Sequence, residues 1–195
     1  MQRFLAGKHA GALPFAPPFL KHGALVIAQT ANILEYLAPR HDLVPKNVAS
    51  RLFANQLQLT IADFVAEAHD VHHPIGSGLY YEEQKTEAVR RSTEFIASRL
   101  PKFLGYFEAC LGQNDGAHLV GRRTTYVDLS AFQLVTGLDY AFPGAMASLS
   151  RRIRKLRALT HRVAEDDRLA AYFASPRRVP FNEQGIFRHY AELDA

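Results

Sequence analysis

The chain has 195 residues, of which 48% are hydrophobic and 22% charged, and its net charge is +4 at neutral pH. This composition is typical of a folded globular protein and excludes a disordered or low-complexity chain. The positive charge is too small to indicate a nucleic-acid partner, and no stretch approaches 18 consecutive apolar residues, so we expect neither nucleic-acid binding nor a membrane span.

Two features of the sequence predict a cytoplasmic location. The single cysteine, Cys110, excludes an internal disulfide, and sparse cysteine usage suits a reducing compartment. The first eleven residues contain no long apolar segment of the kind found in secretory signals.

The first forty residues predict a small α/β unit. Residues 1–8 have the pattern of a helix end, and the Pro- and Gly-rich residues 11–18 are expected to be irregular. The segment FLKHGALVIA (19–28) predicts a β-hairpin with a two-residue turn at His22-Gly23. Thr30 is a good N-cap for a following helix, whose apolar face is formed by Ile33, Leu34 and Leu37.

The remainder of the chain predicts helices only. Pro39 ends the first helix, and the polar, Pro-punctuated segment 39–47 predicts the boundary between a domain at 1–40 and a second domain at 45–195. Apolar residues then recur at helical spacing. Helices are expected over about 53–73, 82–111, 125–138, 148–164 and 167–175.

Three further local signals refine this outline. Pro101 is expected to kink the long helix in which it lies. Thr125 and Asp128 have the spacing of a capping box, with Asp in place of the usual Glu or Gln, so we expect a structural role for both. The tail at 176–195 is expected to be irregular.

Two of these segments, taken together, resemble a known family. APPFLKHGALVIAQTANILEYL (16–37) is similar to the proline–strand–turn–strand–polar pair–helix element of cytosolic glutathione S-transferases, and TTYVDLSAFQLV (124–135) is similar to the capped helix of their C-terminal domain. The resemblance covers nearly the whole chain. It implies a glutathione transferase-like fold: a partial thioredoxin-like α/β N-terminal domain, lacking the first strand-helix-strand, followed by an all-α helical-bundle C-terminal domain.

The resemblance assigns glutathione-binding roles to the proline pair. Pro18 matches the family's cis-proline, which turns the backbone of the preceding residue towards the cysteinyl group of glutathione. The alternative is an ordinary trans Pro-Pro corner. Pro17 departs from the family pattern because proline has no N–H, so only its carbonyl can contact the ligand.

Gln29 and Thr30 match the polar pair that binds the γ-glutamyl group in the family. A helix start attracts a carboxylate through its free N–H groups and dipole. The amide of Gln29 can accept from an ammonium and donate to a carboxylate. The alternative is that Thr30 only caps the helix and Gln29 is a surface strand end.

Asp63 matches the family's acidic residue that reaches across a dimer interface to the ammonium of glutathione in the other subunit. The resemblance therefore implies a homodimer. Asp63, Glu67 and Asp70 also share one helix face, so a solvated polar stripe is the alternative.

The family's catalytic Tyr, Ser or Cys lies well before the cis-proline, whereas 17 residues precede Pro18 here. The catalytic residue is therefore expected upstream of Met1. The electrophile pocket is expected in the helical domain, and HDVHHPIGSGLYYEEQ (69–84), with Tyr80 and Tyr81, is a plausible lining.

The resemblance predicts an enzyme that conjugates the thiolate of glutathione, its substrate, to small hydrophobic electrophiles. Because the catalytic region is absent from these residues, a non-catalytic binding or scaffold protein of the same family is the alternative. The sequence feature that separates the two is a catalytic hydroxyl upstream of Met1.

Three other patterns in the sequence favour structural roles. His69 and His73, with His72 between them, have a spacing that can bind zinc, but His73 precedes Pro74, and neither HExxH nor CxxC occurs, so no metal is expected. The basic segment 151–162 is expected to be the outer face of a bundle helix rather than a phosphate or membrane site. Cys110 is expected to be a buried small hydrophobe.

Overall fold

A short hairpin near the N-terminus precedes all the long helices. The computed structural model describes residues 1–8 and 11–194, which begin with helix α1 (Gln2–Leu5). Strands β1 (Phe19–His22) and β2 (Leu25–Ala28) pair antiparallel. The predicted hairpin is confirmed, but its turn is Gly23-Ala24, one residue later than predicted, because His22 pairs with Leu25. Gly23 has a φ of +60°, a conformation that glycine adopts without strain.

Helix α2 (Thr30–Leu37) begins one residue away from the predicted cap. Its N-cap is Gln29, and no side chain caps its first turn, because Thr30 already belongs to the helix. The carbonyl of Gln29 accepts the first helical hydrogen bond, from the N–H of Ile33 at 2.9 Å. Gln29 has φ 71° and ψ 125°, a backbone conformation that costs a non-glycine residue roughly 1–3 kcal/mol.

The segment after α2 packs against the helices instead of crossing open solvent. A 3₁₀ turn at Ala38–Arg40 ends α2, as Pro39 predicts. Leu43 packs against the core, and its carbonyl accepts from the N–H of Tyr126 at 2.9 Å. The next helix is capped by Asn47, whose side chain accepts from the N–H of Ser50 at 2.9 Å. The division into domains at 1–40 and 45–195 stays a prediction.

The remaining helices form a bundle around one apolar core. They are α3 (Val48–His72), α4 (Lys85–Glu94), α5 (Leu100–Gln113), α6 (Tyr126–Ala141), α7 (Pro143–Leu149), α8 (Arg154–Ala164) and α9 (Asp167–Phe173). Helix α6 packs against α3 and α8, and α5 packs against α8. Fully buried side chains from these helices meet at the centre: Leu57, Phe64, Leu100, Leu104, Phe107, Leu134, Leu138 and Leu156. Within the described residues, none of the helices is both long enough and apolar enough to span a bilayer.

The long helix predicted at 82–111 is divided into three parts. A π-helical segment, Phe95–Arg99, separates α4 from α5, and Pro101 lies in the first turn of α5. Proline lacks the N–H that would continue the ladder, so the helical hydrogen-bond pattern changes in the turn before it. The prediction at 148–164 is also corrected, because Ile153, with a non-helical φ of −124° and ψ of 41°, separates α7 and a 3₁₀ turn from α8.

The basic side chains of α8 contact the bundle. Arg157 forms an ion pair with Asp139 at 2.5 Å, and Lys155 lies 3.7 Å from Glu108. The Glu108 carboxylate also accepts from the N–H groups of Lys155 and Leu156, at 3.0 and 2.9 Å. A side chain of α5 therefore fixes the start of α8.

The start of α6 has the hydrogen bonds of a capping box. Asp128 accepts from the N–H and the hydroxyl of Thr125, both at 2.7 Å, and from the N–H of Leu119 at 2.8 Å. Burial raises the pKa of Asp128, and these hydrogen bonds act against that rise. Thr125 and Asp128 thus connect the loop before α6 to the helix.

The tail after α9 is irregular, as predicted, apart from a 3₁₀ turn at Ala191–Leu193, and Ala195 lies outside the described residues. The tail is nevertheless packed on the bundle. The ring of Phe187 is 8% exposed and lies against Gly137 of α6. The carboxylate of Asp194 accepts from the N–H groups of Gly144 and Ala145, at 2.6 and 3.0 Å.

The contact between Phe187 and Gly137 predicts opposite effects for two Gly→Ala substitutions in helices. A Cβ atom at Gly137 would lie 2.4–2.6 Å from ring atoms of Phe187, whereas one at exposed Gly105 would meet nothing within 4 Å. We expect Gly137→Ala to lower the free energy of unfolding by about 1–3 kcal/mol, because the ring must move. We expect Gly105→Ala to raise it by about 1 kcal/mol through helix propensity.

Urea denaturation measures both effects, and trypsin cleavage of the native chain at Arg188 reports whether the tail has loosened. Equal effects of the two substitutions, with no change in cleavage, would contradict the proposed role of the Phe187 contact.

Candidate functional site

A cleft of about 730 Å³ lies between the N-terminal unit, helices α3 and α6, and the tail. One end is polar and the rest is mainly apolar. The lining residues include Gln29, Thr30, Gln58, Leu59, Ile61, Val65, Ser130, Gln133, Leu134, Val179, Phe181, Asn182, Ile186 and Phe187.

The polar end of the cleft is built by the hairpin. Phe19 pairs with Ala28, so Pro18 and Gln29 lie at the same end of the two strands. The Pro17-Pro18 peptide bond is cis, in agreement with the match to the family's cis-proline. The structure thus brings four of the predicted residues, Pro17, Pro18, Gln29 and Thr30, to one place, and the last two line the cleft.

The first turn of α2 gives this end of the cleft a preference for anions. Gln29 and Thr30 are exposed, and no side chain caps the first-turn N–H groups. Those N–H groups and the helix dipole favour a carboxylate. The hydroxyl of Thr30, within the described part of the chain, has no hydrogen-bond partner and is free to contact a ligand.

The fifth predicted glutathione-binding residue, Asp63, does not line the cleft. It is exposed on α3. The alternative for Asp63 was a solvated polar stripe that includes Glu67. This is wrong for Glu67, which forms ion pairs with Arg99 at 2.6 Å and Arg91 at 3.5 Å. The hydrogen bond from Arg99 is the main cause that lowers the pKa of Glu67.

The apolar part of the cleft differs from the lining suggested by the sequence. Tyr80 is exposed, and Tyr81 is buried behind the tail, where it stacks on Tyr190 with ring centroids 3.7 Å apart. The hydroxyl of Tyr81 donates to Glu192 at 3.0 Å, and burial raises its pKa. Neither tyrosine lines the cleft, because this long-range stacking holds Tyr81 away from it. Residues 179–187 of the tail form that wall instead.

Gln58 is a cleft residue that the sequence did not predict. This residue lies on the buried face of α3, between Ala54 and Ile61, and it lines the cleft. Its Oε1 atom is buried without a hydrogen-bond partner among the described residues. A buried acceptor without a donor is costly, so Gln58 is suited to receive an N–H or O–H from a ligand. The available signal was an amide side chain at an apolar position of the helical pattern.

Three histidines lie at the C-terminal end of α3, outside the cleft lining. His69, His72 and His73 each offer a ring nitrogen, and these atoms lie within 4.8 Å of one another. Burial lowers the pKa of His72 to about 4 and also lowers the pKa of His73. Within residues 1–8 and 11–194, these three histidines are the cluster of side chains that could hold a metal ion.

Cys110 is buried on α5 and does not line the cleft. Burial raises the pKa of its thiol, which disfavours the reactive thiolate. Its environment agrees with the expected role of a small hydrophobe.

The site therefore combines exposed polar groups at a hairpin and helix start with an apolar pocket in a helical bundle. The family described as "Glutathione S-transferase, C-terminal domain" matches residues 69–176. The chain belongs to the glutathione S-transferase family.

Named relatives agree with this assignment. A glutathione S-transferase of Plasmodium yoelii yoelii is 25% identical over 129 residues, which cover 66% of this chain and 55% of that protein. A putative glutathione S-transferase alpha-5 of Dictyostelium discoideum is 31% identical over 119 residues, covering 60% of this chain and 54% of that protein. The chain thus spans about half the length of the curated relatives that it matches.

A solved structure shares the fold. The Pi-class glutathione S-transferase of Onchocerca volvulus has a TM-score of 0.66 and 20% identity, and the match covers 87% of this chain and 76% of that one. This likeness confirms the predicted fold, a partial thioredoxin-like unit followed by a helical C-terminal domain.

The buried acceptor of Gln58 predicts a stabilising substitution. Gln58→Met keeps a similar side-chain length and removes the unpaired atom, so we expect the free energy of unfolding to rise by about 1 kcal/mol. The matched control is Gln56→Met on the same helix, which should not stabilise the chain, because Gln56 is exposed and donates to Tyr106 at 2.9 Å. Urea denaturation of both variants tests this, and a loss of stability in Gln58→Met would contradict it.

Proposed function

We propose that this chain binds glutathione at the hairpin end of the cleft and a small hydrophobic electrophile beside it, as part of a glutathione transferase. The observation that carries the proposal is that Gln29 and Thr30 line the same cleft as the apolar side chains of α3, α6 and the tail. Two reactants held in one cleft are close enough to react.

Each polar group has a proposed partner on glutathione. The γ-glutamyl carboxylate lies at the start of α2, where it receives hydrogen bonds from first-turn N–H groups and from Thr30. The Gln29 amide contacts the same γ-glutamyl group. The carbonyl of Pro17 faces the cysteinyl segment of glutathione. Proline has no N–H, so the carbonyl is the backbone group with which Pro17 can form a hydrogen bond. The acceptor of Gln58 receives a donor from either reactant.

The proposed chemistry is nucleophilic attack by the thiolate of glutathione on a carbon of the electrophile. The thiol first loses its proton to water, and a C–S bond then forms while the bond from that carbon to a leaving group breaks. The thiolate, rather than the thiol, is the nucleophile. Hydrogen bonds and a positive local potential lower the pKa of the thiol. The apolar wall formed by residues 179–187 excludes water and holds the electrophile.

One observation favours the second candidate, a non-catalytic glutathione-binding or scaffold protein. Among the described residues, the hydroxyls on the cleft wall belong to Thr30 and Ser130, and the cleft wall includes no tyrosine or cysteine. Neither hydroxyl has a hydrogen-bonded partner that would activate it. In this case the cleft binds glutathione without accelerating its reaction.

A calorimetric titration with reduced glutathione tests binding. We expect saturable binding that Gln29→Ala weakens by about tenfold, because a hydrogen bond to a charged group is lost. Gln29→Gly should weaken binding equally while keeping the fold, since glycine tolerates the φ of 71° at this position. The control is Gln113→Ala, at the exposed end of α5, which should bind as the unmodified chain does.

No saturable binding by the folded chain would overturn the proposed glutathione site. The rate at which glutathione reacts with chlorodinitrobenzene then separates the two candidates. Acceleration that Gln29→Ala reduces supports the transferase, whereas binding without acceleration supports the non-catalytic protein.

We further propose that the chain forms a cytoplasmic homodimer through α3. Val48, Leu52 and Leu59 are 69%, 67% and 51% exposed, and their spacing places them on one side of the helix. Asp63 follows one turn later, is exposed, and has no ion-pair partner among the described residues. This placement supports a role for Asp63 at the glutathione ammonium of the other subunit.

A charged residue in this apolar stripe should separate the subunits. We expect light scattering to give about twice the chain mass of 21.8 kDa for the unmodified protein and the single mass for Leu52→Glu. Glutathione binding by Leu52→Glu should weaken as well, because Asp63 of a separated subunit could no longer reach the glutathione ammonium in the other subunit. The control is Val89→Glu, at an exposed apolar position on α4, which should stay dimeric. A monomeric unmodified chain, or a dimeric Leu52→Glu, would contradict the proposal.

A further inference from the structure

We propose that His69, His72 and His73 bind a divalent transition-metal ion of the Zn²⁺ type, and that this ion fastens the tail to the end of α3. The site is separate from the proposed glutathione and electrophile positions, because none of the three histidines lines the cleft. It also reverses the expectation, drawn from the sequence, that no metal is bound.

The backbone brings the three rings together. His69 and His72 are three residues apart on α3 and therefore share a face. His73 leaves the helix, as its position before Pro74 predicts, with φ −135° and ψ 54°. This conformation turns its ring back over the helix, where it stacks on His69 with centroids 5.1 Å apart and planes 14° from parallel. The departure from the helix thus completes the cluster.

The hydrogen bonds of His72 leave one nitrogen available to a metal. Its Nε2 lies 2.8 Å from the carbonyl oxygen of Ile186. A carbonyl accepts only, so Nε2 carries the proton and the Nδ1 of the neutral ring has a lone pair. The Nδ1 of His73 lies 2.5 Å from this Nδ1 of His72. A metal-binding histidine commonly donates its other N–H to a backbone carbonyl, which fixes the orientation of the ring.

The distances fit a tetrahedral ion after small side-chain movements. Zn–N bonds of about 2.0–2.1 Å place two ligand nitrogens about 3.3 Å apart. The nitrogens here are separated by 2.5 Å for His72 and His73, and by at most 4.8 Å within the cluster. The side chain of His69 is 32% exposed, so packing does not enclose its ring fully and the ring can change its rotamer. Water can occupy the fourth position.

The donor set selects the class of metal. Three imidazoles suit Zn²⁺, Cu²⁺ or Ni²⁺, whereas Mg²⁺ and Ca²⁺ require oxygen ligands. The charge of Arg188 acts on His72 and His73 and opposes a cation. Asp70 offsets this charge, since its carboxylate lies 3.5 Å from Nδ1 of His69.

The proposed role of the ion follows from the position of Ile186. This residue lines the cleft, and its carbonyl is held by His72. An ion that fixes the ring of His72 also fixes the cleft wall formed by the tail. We infer a structural ion that stiffens the wall, because none of its ligands faces the place proposed for the reactants.

The test uses the full chain without an affinity tag, stripped of metal with a chelator and then titrated with Zn²⁺. We expect one ion per chain by calorimetry and elemental analysis, and a tetrahedral absorption spectrum when Co²⁺ replaces Zn²⁺. His69→Ala and His73→Ala should each raise the dissociation constant of Zn²⁺ by about tenfold or more. The control is His41→Ala, at an exposed histidine between α2 and α3, and this variant should bind Zn²⁺ as the unmodified chain does.

Hydrogen exchange gives a second readout. Zn²⁺ should slow exchange in residues 179–190 of the unmodified chain but not of His73→Ala, and circular dichroism confirms that each variant is folded. Absence of saturable Zn²⁺ binding by the folded chain would overturn the proposal and leave a hydrogen bond between His72 and His73. Binding that survives both His69→Ala and His73→Ala would overturn it as well, and binding without slower exchange in the tail would overturn the fastening role.

Discussion

The packing of the tail on the bundle is the constraint on which the cleft depends. Residues 179–187 have no strand or helix to fix them, so a few specific contacts determine their position. The most confining is the ring of Phe187 against Gly137, where the absence of a side chain on α6 makes the space. His72 holds the carbonyl of Ile186, and Asp194 holds the start of α7. These contacts hold residues 179–187 in place as one wall of the cleft.

The two ends of the cleft arise from different physical causes. The polar end depends on the backbone at the start of α2, where Gln29 has a positive φ and no side chain caps the first turn. The apolar end depends on side-chain volume, because it lies between packed helices and an irregular tail. Substitutions on the helices and the tail can therefore alter the shape of the apolar end without altering the polar end.

Local signals were sufficient to predict much of the fold. The hairpin, the helix from residue 30, and the Thr125–Asp128 hydrogen bonds each depend on residues within about ten positions of one another. The resemblance to the family also pointed to the cis peptide bond, which local sequence alone would have left as an ordinary trans proline corner. The residues of the polar end could therefore be predicted from the sequence. The one difference is that Thr30 is the first residue of α2, whereas it was predicted to be the N-cap.

Long-range contacts explain what the sequence could not provide. Glu67 forms ion pairs with Arg91 and Arg99, which lie 24 and 32 residues further along the chain. The hydrogen-bond partner of Tyr81 lies more than 100 residues away. No periodicity in one segment encodes such a pairing. The cleft wall was missed for the same reason, because an irregular tail leaves no pattern that shows where it docks. Within the apolar part of the cleft, the one signal in the sequence was the amide side chain of Gln58 at an apolar position of the helical pattern.

The burial of Cys110 makes the chain convenient for site-specific chemistry. It is the one cysteine in the sequence, it is 6% exposed, and its pKa is raised by burial. Thiol reagents therefore react slowly with the native protein. A cysteine introduced at an exposed position such as Gln184 would carry a fluorophore or spin label almost alone. The motions of the tail could then be followed in solution without first removing the native thiol.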